Sequence, residues 1–133
     1  MIILAKDIAE EMVQHAREEY PRECCGMLAG KDTTITKLFK IKNIAQRMDE
    51  YELDPLEQVN VFEKIDSLSL KLLGVYHSHP NHPCYPSGLD IHQAFYPDTL
   101  FLIISLNKDM TGFQLKAFKM CEGKVEEETI IFD

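Results

Sequence analysis

Two histidines separated by a single residue, His77 and His79, are the strongest chemical feature of the sequence. Residues i and i+2 of an extended strand project to the same face, so both imidazoles can reach one ion. Neutral imidazole is a common ligand of zinc in proteins. The spacing therefore predicts a metal site wherever this segment forms a strand.

Asp90 is the best candidate for a third metal ligand. The segment Ser87-Gly88-Leu89-Asp90 predicts the first turn of a helix, and residues 80–86, with three prolines, precede it. This loop can fold the turn back onto the end of the histidine strand. Three protein ligands leave a fourth position open for water, which is typical of catalytic zinc. Zinc lowers the pKa of a bound water to about 7, so hydroxide becomes available at neutral pH.

Hydrolysis also needs a general base and a group that stabilises the oxyanion. Glu23 is the candidate base, and Ser87 is the candidate donor to the oxyanion. Glu23 is distant from His77 along the chain, so its position in space does not follow from the spacing. Each residue also has a simpler interpretation. Ser87 and Asp90 can be a helix cap alone, Glu23 a surface carboxylate, and the two histidines ordinary polar residues.

The five residues together have a specific spacing: His-x-His, seven residues, Ser, two residues and Asp, with a Glu upstream. This pattern resembles the JAMM motif of the MPN+ metalloproteases. Glu23, His77, His79, Ser87 and Asp90 match it without a departure. The flanking segments PRECCGMLAG, GVYHSHP and YPSGLD are similar to the family's glutamate segment, metal strand and metal loop.

The resemblance covers residues 1–133 and implies one MPN (JAB) domain with a cytidine-deaminase-like α/β fold, a mixed β-sheet flanked by helices. It implies that His77, His79 and Asp90 bind Zn²⁺, that Glu23 activates the water and that Ser87 assists the oxyanion. Small members of prokaryotic type resemble enzymes that cleave the C-terminal tail of ubiquitin-like or sulfur-carrier proteins. The implied function is therefore a peptidase or isopeptidase. The alternative is a catalytically inactive MPN scaffold.

Two other classes of enzyme fit the sequence less well. Metallohydrolases with a His-x-His motif on a β/α barrel need about 200 residues or more, and this chain has 133. Zinc deaminases carry the motifs H-x-E and P-C-x-x-C. This chain has His-Ser-His in place of the first motif. In place of the second, Ser87 occupies the position of the motif's second cysteine, with Cys84 at the first.

Helices that position these residues are predicted from capping and hydrophobic spacing. The first covers residues 7–20, with Asp7 as its N-cap. The second begins at Asp54 with Pro55 in its first turn. A third runs from Ser87 to about residue 95. The apolar stripe predicted for the second helix comprises Leu56, Val59, Phe62, Ile65 and Leu68.

Strands are predicted from short apolar or β-branched runs between these helices. Glu122-Gly123 predicts the turn of the last hairpin. The order of elements indicates a mixed sheet with helices packed on it. The predicted strands cover residues 1–4, 24–30, 33–41, 71–77, 99–106, 113–120 and 124–132, with a short additional strand at 51–53.

Composition and charge limit the kinds of partner that the protein is expected to bind. The net charge of −8 argues against a nucleic-acid partner. No apolar run reaches transmembrane length and no signal peptide is apparent, so we expect no membrane partner and a cytoplasmic location. Four cysteines without a CxxC pair indicate reduced thiols. We expect a monomer or a homodimer.

The remaining histidines and cysteines are less informative. His15, His82 and His92 are predicted to be exposed residues without a role. Cys84 lies in the loop beside the predicted metal, and two hypotheses stand for it. In one, its thiolate contacts zinc or forms a disulfide in a resting state. In the other, it only packs the loop. Cys24 and Cys25 are adjacent on a predicted strand, so one of the two is expected to face the core.

Overall fold

The structure, a computed structural model, describes residues 1–92, 98–107 and 112–133. Strands and helices alternate through much of the described chain, and all but one of the predicted elements have a counterpart. The exception is the short additional strand, which is only an isolated bridge between Asn43 and Leu53. In chain order the elements are β1 (Ile2–Leu4), α1 (Lys6–Glu19), β2 (Cys25–Lys31), β3 (Thr34–Ile41), α2 (Pro55–Ser67), β4 (Lys71–Pro80), α3 (Gly88–His92), β5 (Leu100–Leu106), β6 (Phe113–Cys121), β7 (Lys124–Glu128) and β8 (Ile130–Phe132).

The strands form one mixed sheet in the order β7-β6-β5-β4-β2-β3-β1-β8. β4 runs parallel to β5, and β1 runs parallel to both β3 and β8. The other neighbours are antiparallel. β7 and β8 lie at opposite edges although only Thr129 separates them along the chain, so the sheet must curl until its edges approach each other.

The predicted final strand over 124–132 is therefore wrong in one respect. Residues 124–128 pair with β6, whereas residues 130–132 pair with β1 at the other edge. The apolar pattern of the segment indicates an extended chain but not its pairing partner. The chain changes partner at Thr129, whose carbonyl accepts a bond from Ile2 N at 2.9 Å.

Both faces of the sheet are covered, which confirms the predicted mixed sheet flanked by helices. α1 packs on one face against a core that includes Leu28, Tyr76 and Leu102. α2 packs on the other face against a core that includes Met27 and Phe101. β5 is apolar along nearly its whole length because it contributes side chains to both cores. Among the described residues, no helix has the length and apolarity needed to cross a bilayer.

One predicted helix boundary needs a correction, the N-cap of α1. α1 begins at Lys6 with Ala5 as its N-cap, so Asp7 lies inside the first turn and does not cap it. Asp54 does cap α2, accepting bonds from the backbone of Leu56 and Glu57. α3 covers Gly88–His92, and the predicted continuation to about residue 95 lies outside the described residues.

The predicted apolar stripe of α2 is wrong. Leu56 is 71% exposed, Val59 is 53% exposed and Leu68 is 46% exposed. Successive steps of three residues drift by about 60° around a helix with 3.6 residues per turn, so five such positions cannot share one face. The buried pair is Val61 and Ile65, which have the i, i+4 spacing of a single face.

His15 is buried, which corrects the prediction that it is exposed. It lies on the inner face of α1, and its Nδ1 lies 2.9 Å from the hydroxyl of Tyr76. Burial lowers the pKa of His15, so the neutral ring is favoured. β2 passes close to the same tyrosine, since a Cβ on Gly26 would lie 2.4 Å from its ring. His82 and His92 are exposed, as predicted.

Candidate metal centre

The register between β2 and β4 places Glu23 beside the histidines. Cys25 pairs with His77, and Ser78 bonds twice to the residue before Cys25, through its own N–H at 3.1 Å and its hydroxyl oxygen at 2.8 Å. Continuing this antiparallel register by one residue sets Glu23 opposite His79. Opposed residues project to the same face, so the long-range pairing supplies the proximity that the sequence spacing cannot.

Three candidate ligand atoms meet at the end of β4. His77 Nε2 and His79 Nε2 lie 3.0 Å apart. Asp90 Oδ2 lies 2.9 Å from His79 Nε2 and 3.2 Å from His77 Nε2. All three residues are buried. The prediction that both imidazoles face one point is confirmed, and Asp90 reaches the same point.

Asp90 is held there by the first turn of α3. Ser87 N–H donates to Asp90 Oδ2 at 2.8 Å, and Asp90 N–H donates to Ser87 Oγ at 3.1 Å. This reciprocal pair is a capping box, so the cap interpretation is correct, and it also orients the carboxylate oxygen that faces the histidines. Ser87 is exposed. Because its oxygen accepts from Asp90, its hydroxyl hydrogen is left for another acceptor.

Glu23 completes the cluster as a buried carboxyl group. One ligand atom from each of Glu23, His77 and His79 lies within 4.8 Å of the others. Glu23 is 3% exposed, and its Oε1 has no hydrogen-bond partner among the described residues. Burial raises the pKa of Glu23 to about 8. A buried carboxyl oxygen without a partner is costly, so the position favours a cation or a water as a neighbour.

The two imidazoles have different surroundings. His79 Nδ1 donates to the carbonyl of Pro83 at 2.9 Å, which leaves Nε2 to face the centre. Bonds to Asp90 and Pro83 outweigh burial and raise the pKa of His79. His77 Nδ1 has no hydrogen-bond partner within the described ranges, and burial lowers the pKa of His77. Its ring stacks on Tyr51, with centroids 4.3 Å apart and planes 19° apart.

These atoms fit a metal ion. Two imidazole nitrogens and a carboxylate oxygen point at one another, and lone pairs in that arrangement repel unless a proton or a cation lies between them. Bonds to both histidines outweigh burial and hold the pKa of Asp90 well below its usual range, so this group is an anion at neutral pH. Two imidazoles and one carboxylate are ligands that suit a divalent transition metal.

Comparison with known proteins decides the family. The family described as prokaryotic homologs of the JAB domain matches residues 5–118. The chain belongs to the prokaryotic JAB family. This confirms the resemblance to MPN+ metalloproteases that the motif indicates.

Curated relatives and solved structures agree with this JAB assignment. Desampylase of Haloferax volcanii is 37% identical over 118 residues, covering 84% of this chain and 85% of its own. CysO-cysteine peptidase of Mycobacterium tuberculosis is 29% identical over 132 residues, covering 98% of this chain and 90% of its own.

Among solved structures, that of a Desulfitobacterium hafniense protein superposes with a TM-score of 0.91 at 35% identity, covering 100% of this chain and 93% of that one. A JAB1/MPN domain protein from Archaeoglobus fulgidus superposes with a TM-score of 0.66 at 17% identity, covering 100% and 97%, and it shows the fold alone.

Two contacts of this JAB site are absent from the sequence-based prediction. They are the stacking of Tyr51 on His77 and the bond from His79 to the carbonyl of Pro83. Tyr51 precedes His77 by 26 residues, and no helical or strand period links the two. Pro83 contributes a backbone oxygen, which every residue type carries, so side-chain chemistry gives no signal for it.

Cys84 packs the loop beside the JAB site, and its thiol bonds to a backbone carbonyl. Its Sγ donates to Ile103 O at 3.2 Å, and its side chain lies in the core on the α2 side. Burial raises the pKa of Cys84, which favours the thiol over the thiolate needed to bind a metal. All four cysteines are free. Cys24 and Cys25 are both buried, one in each core, so both face the core and not just one.

We expect Cys84→Ala to leave metal affinity and peptidase activity within about twofold of the unchanged protein. The lost packing should lower the free energy of unfolding by about 1 kcal/mol. Metal titration, activity assays under oxidising and reducing conditions, and denaturant unfolding measure these effects. A tenfold loss of metal affinity would restore the hypothesis that this thiol contacts the metal.

Proposed function

We propose that this JAB protein is a zinc metallopeptidase that hydrolyses a peptide or isopeptide bond at the C-terminal tail of a ubiquitin-like or sulfur-carrier protein. The observation that carries the proposal is the buried convergence of Glu23, His77, His79 and Asp90 at one point. The names of the two relatives, desampylase and CysO-cysteine peptidase, support this class of substrate.

Zinc is the metal favoured by the distances between the three candidate ligand atoms. Ligand atoms about 2.0–2.1 Å from a tetrahedral zinc lie about 3.3 Å from one another. The distances among His77 Nε2, His79 Nε2 and Asp90 Oδ2 are 3.0, 2.9 and 3.2 Å. Small outward shifts would fit this triangle to zinc. Three protein ligands also leave one position for water, as in catalytic sites.

Each residue of the site has a separate role in the proposed hydrolysis. Zinc, when bound by His77, His79 and Asp90, supplies Lewis acidity that lowers the pKa of water and polarises the scissile carbonyl. Glu23 takes the proton from the attacking water and delivers it to the leaving amine. Its buried position beside both histidines suits a group that must pass a proton between these steps. Ser87 donates its hydroxyl hydrogen to the developing oxyanion.

The location and assembly of the protein are further parts of the proposal. Free thiols at all four cysteines suit a reducing compartment, and we place the protein in the cytoplasm. Residues 1–133 would form one domain that acts as a monomer or a homodimer on its protein substrate.

Zinc-loaded protein is expected to release the tail extension or the conjugated lysine from a ubiquitin-like or sulfur-carrier protein of the same genome. Mass spectrometry of the products locates the cleaved bond. A chelator should lower the rate to less than about 1% of its initial value, because the metal supplies the activated water, and added Zn²⁺ should restore it. Mg²⁺ serves as the control ion, since it suits oxygen ligands and not imidazoles.

Two results would contradict the proposal. Hydrolysis at an unchanged rate after complete removal of the metal would exclude metal-dependent chemistry. Stable binding of the carrier protein by zinc-loaded protein, with no product from any fusion, would favour the inactive MPN scaffold.

A further inference from the structure

The side chain of Asn43 joins the backbone of Glu23 to the segment of residues 44–53, and these two segments lie beside the metal centre. Asn43 Nδ2 donates to the carbonyl of Glu23 at 2.9 Å and to the carbonyl of Glu50 at 3.2 Å. Asn43 Oδ1 accepts from the N–H of Ala45 at 2.9 Å and of Glu52 at 3.0 Å. A primary amide has two donor hydrogens and two acceptor lone pairs, so this side chain uses its full capacity.

The oxygen of Asn43 organises residues 44–53, which we call the clamp loop. The loop has little regular structure to hold it, since its backbone pairing is a single bridge between Asn43 and Leu53, in which Ile44 N bonds to Glu52 O at 3.0 Å. The two bonds to Asn43 Oδ1 therefore fix backbone that is otherwise weakly paired. Tyr51 belongs to the clamp loop, and its position depends on this closure.

Tyr51 in turn holds the ring of His77. A metal-binding histidine normally donates its other ring nitrogen to a fixed acceptor, which sets the orientation of the ring. His79 has such an acceptor in the carbonyl of Pro83, but His77 Nδ1 has none among the described residues. The buried ring of Tyr51 lies 4.3 Å from that of His77, nearly parallel to it. Stacking therefore takes the place of the missing hydrogen bond.

The NH₂ group of Asn43 restrains the backbone that carries the base. Glu23 precedes β2, so its carbonyl lies beyond the last pair of the β2–β4 ladder, Cys25 with His77. Its bond to Asn43 Nδ2 anchors it to the clamp loop. Arg22 makes a second link between the same segments, because its Nη2 donates to the carbonyl of Ala45.

We infer that Asn43 is a positioning residue that serves the base and a metal ligand at once. Its NH₂ group sets the backbone of Glu23, and its oxygen closes the clamp loop and thereby seats Tyr51 on His77. The inference rests on the proposed function, because it assigns these contacts to a metal ligand and a general base. Asn43 acts through other residues and touches neither the metal nor the substrate.

The first test compares Asn43→Ala with Asn60→Ala, which removes the same amide from the exposed surface of α2. Zinc affinity is measured by competition with a chromophoric chelator, and the visible spectrum of Co²⁺-loaded protein reports ligand geometry. In Asn43→Ala we expect a 10–100-fold loss of zinc affinity, the range found when outer-shell partners of a ligand are removed. The Co²⁺ spectrum should change and kcat should fall, with KM altered by less than about threefold. Asn60→Ala should match the unchanged protein.

The second test separates the two halves of the amide. Asn43→Asp keeps the acceptor oxygens for Ala45 and Glu52 but loses the donors. Zinc affinity should therefore stay within about fivefold of the unchanged protein while kcat falls about tenfold or more. Asn60→Asp controls for the added charge.

Tyr51 gives a third test that does not depend on whether the Asn43 variants fold. Tyr51→Phe keeps the ring, and its zinc affinity should stay within about twofold; Tyr51→Leu should lose about tenfold or more.

Zinc affinity and a Co²⁺ spectrum unchanged in folded Asn43→Ala would overturn the inference, as would unchanged affinity in Tyr51→Leu. Zinc binding and hydrolysis by the wild-type protein distinguish failure of this inference from failure of the proposed function. If it binds zinc and hydrolyses its substrate, only the inference has failed. If it binds no zinc, the proposed function fails and the inference fails with it.

Discussion

Glu23→Gln is expected to lower kcat by about 10²–10⁴-fold, the usual contribution of a general acid–base group. Glutamine has nearly the same shape as glutamate but cannot take the proton of the attacking water or pass it to the leaving amine. The three proposed ligands are untouched, so zinc content should remain at one ion per chain. Steady-state kinetics and metal analysis of the purified variant measure both effects.

The metal-free Glu23→Gln protein should also be at least as stable as the unchanged protein. Glu23 ionises with a pKa near 4.5 when exposed and of about 8 in the fold. A raised folded-state pKa means that stability present below pH 4.5 is lost as the pH rises toward 8. Glutamine carries no charge to bury, so this loss disappears, and a thermal melt at pH 7 should show an equal or higher Tm.

A matched control shows that the effect belongs to this position. Glu63→Gln makes the same change on the exposed surface of α2 and should leave kcat, zinc content and Tm unchanged. Turnover by Glu23→Gln at the rate of the unchanged protein would remove Glu23 from its assigned role as the base.

Loss of any one proposed ligand should lower zinc affinity by more than about 100-fold, beyond the effect of outer-shell changes, and abolish detectable hydrolysis. The variants are His77→Ala, His79→Ala and Asp90→Ala. Each leaves only two ligands, because Nε2 of each imidazole and Oδ2 of the carboxylate supply the three atoms of the triangle. Chelator competition and peptidase assays measure both losses.

Asp90 calls for a second variant because it also caps α3. Asp90→Asn keeps an oxygen that can accept from Ser87 N–H but removes the charge, so a loss of zinc in this variant reports coordination and not helix stability. His92→Ala, on the exposed surface of the same helix, is the control and should retain zinc. If all the ligand variants held zinc as tightly as the unchanged protein, the ion would bind elsewhere.

The predicted part of the site is the part that local geometry determines. The same-face projection of His77 and His79 follows from the period of a strand, and the first turn of α3 follows from the Ser87–Asp90 spacing. The approach of Glu23 to His79 depends on the pairing of β2 with β4, which joins residues some 50 positions apart along the chain. Only the family motif, and not the periodicity, anticipates it.

Sequence patterns fail elsewhere in the fold for the same physical reason. The exposed Leu56 and Val59 show that an apolar residue on a helix is buried only where another element covers it. The buried His15 shows the converse, because Tyr76 on β4 provides a partner that α1 alone does not reveal. The exchange of partners at Thr129 depends on how far the sheet curls. Each of these outcomes is set by tertiary contacts that local propensity does not contain.

The most direct test is a crystal structure of the zinc-loaded protein with anomalous diffraction data collected at the zinc edge. The account predicts one strong peak per chain, bonded to His77 Nε2, His79 Nε2 and a carboxylate oxygen of Asp90, with Glu23 facing the remaining position. An absence of a peak between these atoms, or a peak at another set of residues, would contradict it.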